Sequence, residues 1–546
     1  MSGQGAVIGG TPQARLAATH IAVAVAAFGV AACMGVLQGL SIADVEFPMR
    51  SESLYYLFVT AHGVLMALVF TTFFIMGLGY ALTHAQLGRL VGLKTAWLGF
   101  WIALVGTVGA VYTILTGQST VLYTFYPPMQ AHPMFYIGAT MLVIGSWLWG
   151  GVVIASYRSW KREHPTQPVP MATHGTIATI IVWYLATAGV AMEMLFQLIP
   201  WSLGWVETID PIVARTLFWW FGHPLVYFWL MPAYVLWYTV MPRIAGGRLF
   251  SDKLARMVFI LFVILSTPVG FHHQFSDPGI SASWKFAHTI TTFAILFPSF
   301  VTAFTVIASL EVAGRLKGAK GLFDWIGTLP WKDPFFLAMA LAILSFAFGG
   351  FGGAINAAYG MNSMVHNTAW IMGHFHVTLG TTSALTFMGA TYWLMPRLLG
   401  RQLALPALAR IQPWLWFIGM GIFSTSFHIA GLRGLPRRVY SGALAGEQGG
   451  AWESLTQAGA IGGIVLFVSA LCFVAVVLAT WLGGKRIEPP AFEFAVALEP
   501  VTEKGLWDRF GLWTIVAIVL VILAYAYPLI TLLMTPRFGS PPFQPF

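Results

Sequence analysis

The chain is predicted to be an all-α integral membrane protein, a bundle of about thirteen transmembrane helices forming one domain over residues 1–546. Composition sets the solvent: 58% of the 546 residues are hydrophobic and 9% are charged, and the mean hydropathy is +0.77. A soluble domain of this length cannot bury so much apolar surface. Apolar runs longer than about 18 residues recur from end to end, joined by loops too short to fold alone. No internal repeat is visible. Inside those runs lie His62, His223, His272, His273, His374 and His376, and imidazoles in lipid-embedded helices are costly and seldom accidental.

The spans follow one another with basic residues marking alternate ends. Met1–Thr19 lacks the basic segment, short apolar stretch and small-residue cleavage site of a signal peptide, so span one, 17–40, is read as a true crossing. Span two (54–83) begins beyond Arg50 and ends before Arg89. Spans three (96–117) and four (132–157) return the chain to Arg158, Lys161 and Arg162. Span five (174–200) leads out, and span six (211–241) starts at Arg215 and ends at Arg243 and Arg248. Span seven (255–279) starts at Arg256, and span eight (285–314) runs from Lys285 to Arg315 and Lys317. Spans nine (334–357) and ten (364–396) form the next pair, closed by Arg397. Spans eleven (411–432), twelve (455–483) and thirteen (507–534) complete the bundle. Of the 28 Lys and Arg, only Arg50, Arg215, Lys285, Arg433, Arg437, Arg438 and Arg537 fall on the other side. That asymmetry predicts a cytoplasmic N-terminus and an outer C-terminus. The net charge of +9 is then a matter of topology and excludes a nucleic-acid partner as its cause.

This topology brings the six histidines to one depth. His62, on an inward-running span, is roughly eight residues or 12 Å below the outer face, and His223 is about as deep. His272 and His273 come near the outer end of span seven, and His374 and His376 lie a few turns into span ten. Unrelated core histidines would scatter. Residues i and i+2 on a helix differ by about 200° in direction, so His374 and His376 serve two different centres. His62 can join His376 as the axial pair of a closed, electron-transferring haem. His374 can hold a second haem with an open face. His272 and His273 would be splayed by about 100° on a regular helix, but Pro268, Gly270, Pro278 and Gly279 allow a bend that brings both to one ion. With His223 they make a three-histidine site of the type that suits copper. The bundle core is thus expected to hold haem and copper sites. Tyr227 follows His223 by one turn and shares its face, so a phenol stands beside the copper ligand. Cys33 and Cys472, both in apolar spans, read as small hydrophobes. Two such residues cannot build a dinuclear copper site, so any such electron-entry centre sits on another subunit.

The segments GHPLVY around His223, STPVGFHHQFSDPG and HNTAWIMGHFHV resemble subunit I of the haem–copper oxidases, and the likeness spans nearly the whole chain. It points to the B-type branch of cytochrome c oxidases. It implies His62 and His376 on a low-spin b-type haem, His374 on a high-spin a-type haem, and His223, His272 and His273 on one copper ion. Tyr227 would be cross-linked to His223. The activity implied is reduction of O2 to water, coupled to proton translocation. The implied partners are a subunit II carrying a dinuclear copper site, cytochrome c or a similar donor, membrane lipid and small accessory helices, in a prokaryotic cytoplasmic membrane.

The resemblance also orders the polar residues. Leu225 stands where A-type enzymes carry a Glu that ends their second proton channel, and an apolar side chain relays no proton. Tyr227, Tyr234 and Tyr238 on span six and Ser299, Thr302 and Thr305 on span eight each keep roughly one face, matching the single B-type channel with Ser251 at its mouth. Packing and back-bonding to the helix are the plainer roles for such hydroxyls. On the outer side, His366, Asn367 and the pair Arg437 and Arg438 are placed to meet haem propionates. Asn362 stands where the B-type relative has an Asp, and an amide takes up no proton. His174, His288 and His428 are read as helix–helix hydrogen-bond partners. Trp219 and Trp220, beside the copper ligand, are read either as modulating electron flow or as core packing, the second at least as readily as the first. Two rival functions remain in view. A nitric oxide reductase of the same superfamily would have iron for copper and lack Tyr227. A proton-coupled transporter would show inverted repeats.

Overall fold

The computed structural model describes residues 5–45, 51–440, 449–535 and 537–544; Arg50 lies outside them. It is all-helical, and among the described residues eleven helices are long and apolar enough to cross a membrane. In chain order they are α1 (Pro12–Ile42), α2 (Glu52–Leu87), α3 (Leu93–Leu115), α4 (Pro133–Glu163), α5 (Met171–Ser202) and α6 (Pro211–Ile244). After the short α7 (Asp252–Leu265) come α8 (Ala282–Leu316) and α9 (Pro334–Ala357), then the helical run α10 (369–399), α11 (Pro406–Leu432), α12 (Glu453–Gly483) and α13 (Phe510–Met534). The segments expected at 255–279 and 364–396 are the two that do not qualify. The first stops after 14 residues; the second is a continuous helix diluted by His374, His376 and hydroxyl residues such as Thr381, Thr382 and Ser383. The first is cut short ahead of Pro268, and the second is made too polar by its histidines and hydroxyl residues.

Starts are set by caps. Thr11, Ser51, Asp210, Ser251, Asp333 and Thr368 accept backbone N–H groups at the helix origins, and Pro12, Pro211 and Pro334 occupy first turns where no N–H is needed. Three π-turns interrupt the ladders, at Leu65–Phe70 just after His62, at Met194–Leu198 just after Glu193, and at His376–Thr381. Such turns insert one residue and often mark functional sites. The centre of α6 is 94% buried, against 33% for α12 and α13, so α6 is the axial element and the last two helices are peripheral. Outward residues such as Trp101, Val105, Phe300 and Phe304 are large and apolar, as a lipid-facing surface requires. Cys33 is exposed and Cys472 half-buried, each within its apolar helix.

The α7 segment ends rather than bends. Pro268 denies a helical N–H and restrains Thr267 before it, and the chain turns through a 3-10 segment at Gly270–Gln274. Its backbone groups are satisfied from elsewhere: Gly270 N–H donates to the Tyr525 hydroxyl at 3.1 Å, and that hydroxyl donates to Thr267 O at 3.1 Å. Phe271 N–H donates to His288 Nδ1 at 3.2 Å. At the other end of α7, Arg256 pairs with Asp252 at 2.8 Å and Asp508 at 2.7 Å, and His174 approaches Asp508 at 3.4 Å. That buried cluster fastens the connection leading into α13.

Candidate metal centres

Three imidazoles converge at one point. His223 comes from the middle of α6, where its one-turn spacing to Tyr227 is kept, and His272 and His273 come from the 3-10 turn. One nitrogen of each lies within 4.8 Å of the others. The tighter turn replaces the expected bent helix as the device that brings the adjacent pair together. His223 divides its two nitrogens: Nε2 is 2.8 Å from the Tyr227 hydroxyl, and Nδ1 is 2.9 Å from His273 Nε2. Nδ1 is therefore the atom left for a metal. His272 Nδ1 is anchored by Thr292 Oγ1 at 2.9 Å. Trp219 stacks flat on His273, with centroids 3.7 Å apart and planes 2° apart. Nearly every ring thus has a neighbour that fixes its orientation, the arrangement metal-binding histidines need.

His62 and His376 face each other across the bundle, centroids 6.4 Å apart and planes within 9°. Each Nδ1 is hydrogen-bonded to a carbonyl, His62 to Ala31 and His376 to Met372, both at 2.8 Å. Among the described residues neither Nε2 atom has a hydrogen-bond partner. With metal–imidazole bonds of about 2 Å, this separation suits one metal atom between two coplanar rings. His374 points elsewhere, and its Nδ1 has no hydrogen-bond partner among the described residues. It lies against Gly352, where a Cβ would come within 2.5 Å of Nδ1; at Gly35 a Cβ would come within 2.8 Å of the His62 ring. Only glycine leaves those rings their positions. His62, His374 and His376 keep part of their surface free although they sit inside the bundle, so they line an internal cleft.

Arg437 and Arg438 reach this region through Tyr123, whose ring lies against Gly63 and Phe375. Arg437 Nη2 donates to the Tyr123 hydroxyl at 2.8 Å, and Arg438 Nη1 to Thr124 at 3.2 Å while its guanidinium covers the Tyr123 ring at 4.6 Å. Neither has a carboxylate partner among the described residues. Burial, and then Arg438, pull Arg437 below its usual range. Burial alone would raise Tyr123, but Arg438 and Arg437 outweigh it and bring it down to about 8. Two adjacent cations short of anions suit a ligand bearing carboxylates. The residues thus fit a pair of haems and one copper ion. Asn367, at φ 58°, accepts the Arg437 N–H at 2.9 Å through its carbonyl, which shapes the loop. Asn362 donates to Asn356 O at 2.7 Å, leaving its own amide oxygen unpartnered. His366 is half-buried, and burial lowers it before Asp277 and Arg215 act.

The hydroxyl column is only partly joined. Tyr238 donates to Thr302 Oγ1 at 2.7 Å. Tyr234 lies near Ser299 and Thr302 but closes no hydrogen bond with them. Ser299 and Thr302 bond back to Ile295 O and Pro298 O, and Thr305 Oγ1 is unpartnered. Ser251 caps α7 through Leu254 N–H at 3.2 Å. Sequence reasoning missed Ser309, which accepts the Phe250 N–H at 2.8 Å beside Ser251; its four-residue step from Thr305 on the same face was the available signal. Thr292, Tyr525 and Tyr123 were missed too, and nothing in their local sequence singles them out.

A model of the cytochrome c and quinol oxidase polypeptide I family matches residues 15–465. Cytochrome c oxidase subunit 1 of Thermus thermophilus is 42% identical over 517 residues, 92% of each chain. Quinol oxidase subunit 1 of Bacillus subtilis is 27% identical over 76% of this chain and 63% of its own length. A solved structure of a haem–copper terminal oxidase dimer superposes with a TM-score of 0.94 at 37% identity, covering 98% of this chain and 95% of that one.

Proposed function

The chain belongs to the cytochrome c and quinol oxidase polypeptide I family, and from that membership we propose the role of each group. The chain is the catalytic subunit of a cytochrome c oxidase, a terminal respiratory enzyme that reduces O2 to water, and an integral protein of a prokaryotic membrane. In the proposed assignment His62 and His376 hold a low-spin b-type haem, His374 a high-spin a-type haem, and His223, His272 and His273 one copper ion. When bound, these groups carry electrons to O2 and hold it while it is reduced.

The chain's own residues orient and supply protons. The observation that carries the reading is His223, with its Nδ1 turned to the other two imidazoles and its Nε2 to Tyr227. That division lets one ring serve the metal while its neighbour phenol delivers a proton and an electron to the reacting oxygen. Tyr238 and Thr302 are a joined relay pair toward the cytoplasm, with Tyr234, Ser299, Thr305 and Ser251 completing the route. Arg437, Arg438, His366 and Asn367 receive the propionates, beside Asn362. The segment 255–279 and α10 complete about thirteen crossings in a single domain, N-terminus inside and C-terminus outside. The electron donor is cytochrome c, by way of a partner subunit with a dinuclear copper site, in keeping with only two cysteines here.

The nitric oxide reductase reading is disfavoured by Tyr227 on His223 and by the family match. A reduced-minus-oxidised optical spectrum with pyridine haemochrome and copper analysis tests the assignment. One b haem, one a-type haem and one copper per chain are expected; equal haem iron without copper would overturn it.

A further inference from the structure

Glu193 belongs to none of these groups. It is fully buried in α5, immediately before the π-turn Met194–Leu198. Among the described residues neither carboxyl oxygen has a hydrogen-bond partner, and no cation stands close enough to balance a charge. A carboxylate in that setting would carry its whole desolvation cost, so the neutral acid is the form the pocket holds. Gln197 Oε1 and Trp201 Nε1 follow at intervals of four residues, and both are also buried without partners. An ionisable residue in a membrane helix is by default a functional group, and each unsatisfied buried polar atom needs an explanation.

The neighbours lead toward the solvent. From α4, Tyr136 is the titratable group that faces Glu193, and it too is fully buried. From α6, Val213 and Leu217 pack against Met192, the residue before Glu193. The Tyr136 hydroxyl accepts the Ala131 N–H at 3.0 Å. Ala131 also lines a polar cavity of about 420 Å³, with Gln118, Gln130, His132 and Ser202. Gln130 Nε2 donates to Trp201 O at 3.0 Å, tying that wall to the end of α5. The phenol oxygen thus lies one residue behind the wall of a cavity that opens at this end of the bundle.

We propose that Glu193 is a proton-holding site that exchanges with water in this cavity through Tyr136. Glu193 and Tyr136 make no direct hydrogen bond, so the transfer runs by way of a bridging water. The carboxyl proton passes through it to the phenol oxygen as the phenol proton leaves toward the cavity, and the reverse movement restores the acid. No electron moves and no other bond changes. The cavity is on the outer side by the topology proposed above, but the site does not depend on that orientation. It gives this end of the protein a proton store separate from the hydroxyl column of α6 and α8.

Infrared spectra of the purified holoenzyme, recorded for the wild type, Glu193→Gln and Tyr136→Phe at equal haem content, test this. The expected result is a protonated-carboxyl carbonyl band that Glu193→Gln loses and that shifts when the wild type is moved into D2O. Tyr136→Phe should keep the band and slow its shift several-fold. Identical carbonyl regions in wild type and Glu193→Gln would mean an ionised carboxylate and overturn the proposal. A wild-type region with no D2O shift over hours, or an unslowed shift in Tyr136→Phe, would overturn the exchange route. If Glu193→Gln does not accumulate with haem, the D2O shift of the wild type and its rate in Tyr136→Phe decide alone.

Discussion

His223 has two ring nitrogens with two different neighbours, and its consequences can be separated by substitution. Tyr227→Phe keeps the ring and its packing but removes the group bonded to Nε2, so turnover should fall by about 100-fold or more with haem and copper content unchanged. Tyr238→Phe and Thr302→Val should instead slow single-turnover proton uptake and leave residual activity, since water can stand in for one hydroxyl. Full turnover in Tyr227→Phe would defeat the mechanism; normal uptake in the other two would remove only the channel. Replacing His272 or His273 by Ala should abolish O2 reduction and lower bound copper, with the double variant little worse than either single one. Metal analysis beside a low-spin haem that the donor still reduces is the check. His62→Ala should erase the low-spin optical signal and spare the haem on His374. These histidines were legible because each is a polar group in an apolar run. Thr292 and Tyr123 were not, since hydroxyls abound in this chain and only packing selects the few that touch a ligand.

At the scale of elements, proline and glycine around His272 and His273 announced a departure from regular helix without saying which. A kinked helix and a helix that ends read alike from Pro268; the outcome depends on whether the freed backbone groups find partners. Here Tyr525 and His288 supply them, from α13 and α8. Tyr525→Phe removes both hydrogen bonds at the cost of a single oxygen. It should weaken copper retention by about 10- to 100-fold, as loss of an outer support typically does. Equilibrium dialysis against a copper chelator, with the optical spectrum of the haems as an internal control, measures this. Retention equal to the wild type would show that the turn holds itself. The π-turns after His62 and Glu193 and at His376 lay beyond reading, because one inserted residue leaves the hydrophobic pattern intact.

Across the whole molecule, the alternation of basic loops and apolar runs gave the bundle, and fell short where Pro268 ends a helix early and where histidines and hydroxyls make a span polar. The connection into α13 makes one contribution to the pH dependence of stability. Burial would raise Asp508, but the His174 hydrogen bond and Arg256 prevail and bring it down to about 2. A depressed carboxyl stabilises the folded state above its unfolded value, and that contribution is lost as pH falls through the folded value. The margin of the wild type over Asp508→Asn in thermal inactivation should therefore be constant above about pH 4 and vanish toward pH 2. It corresponds to about 1–2 kcal/mol once solvent screening is allowed for. A margin that persists at the acid end would mean that another group holds the connection.

The brace on the histidine turn has a bearing on how the protein is made. Synthesis proceeds from the N-terminus, so His62, His223, His272, His273, His374 and His376 all leave the ribosome well before Tyr525. The proposed haem ligands of α2 and α10 do not depend on the last helix. The turn at Gly270–Gln274 acquires its second hydroxyl support only when the last helix has entered the bilayer and packed against it. On the proposed assignment, a chain interrupted before Tyr525 lacks this support at its copper ligands, so copper retention is expected to depend on completion of the last helix.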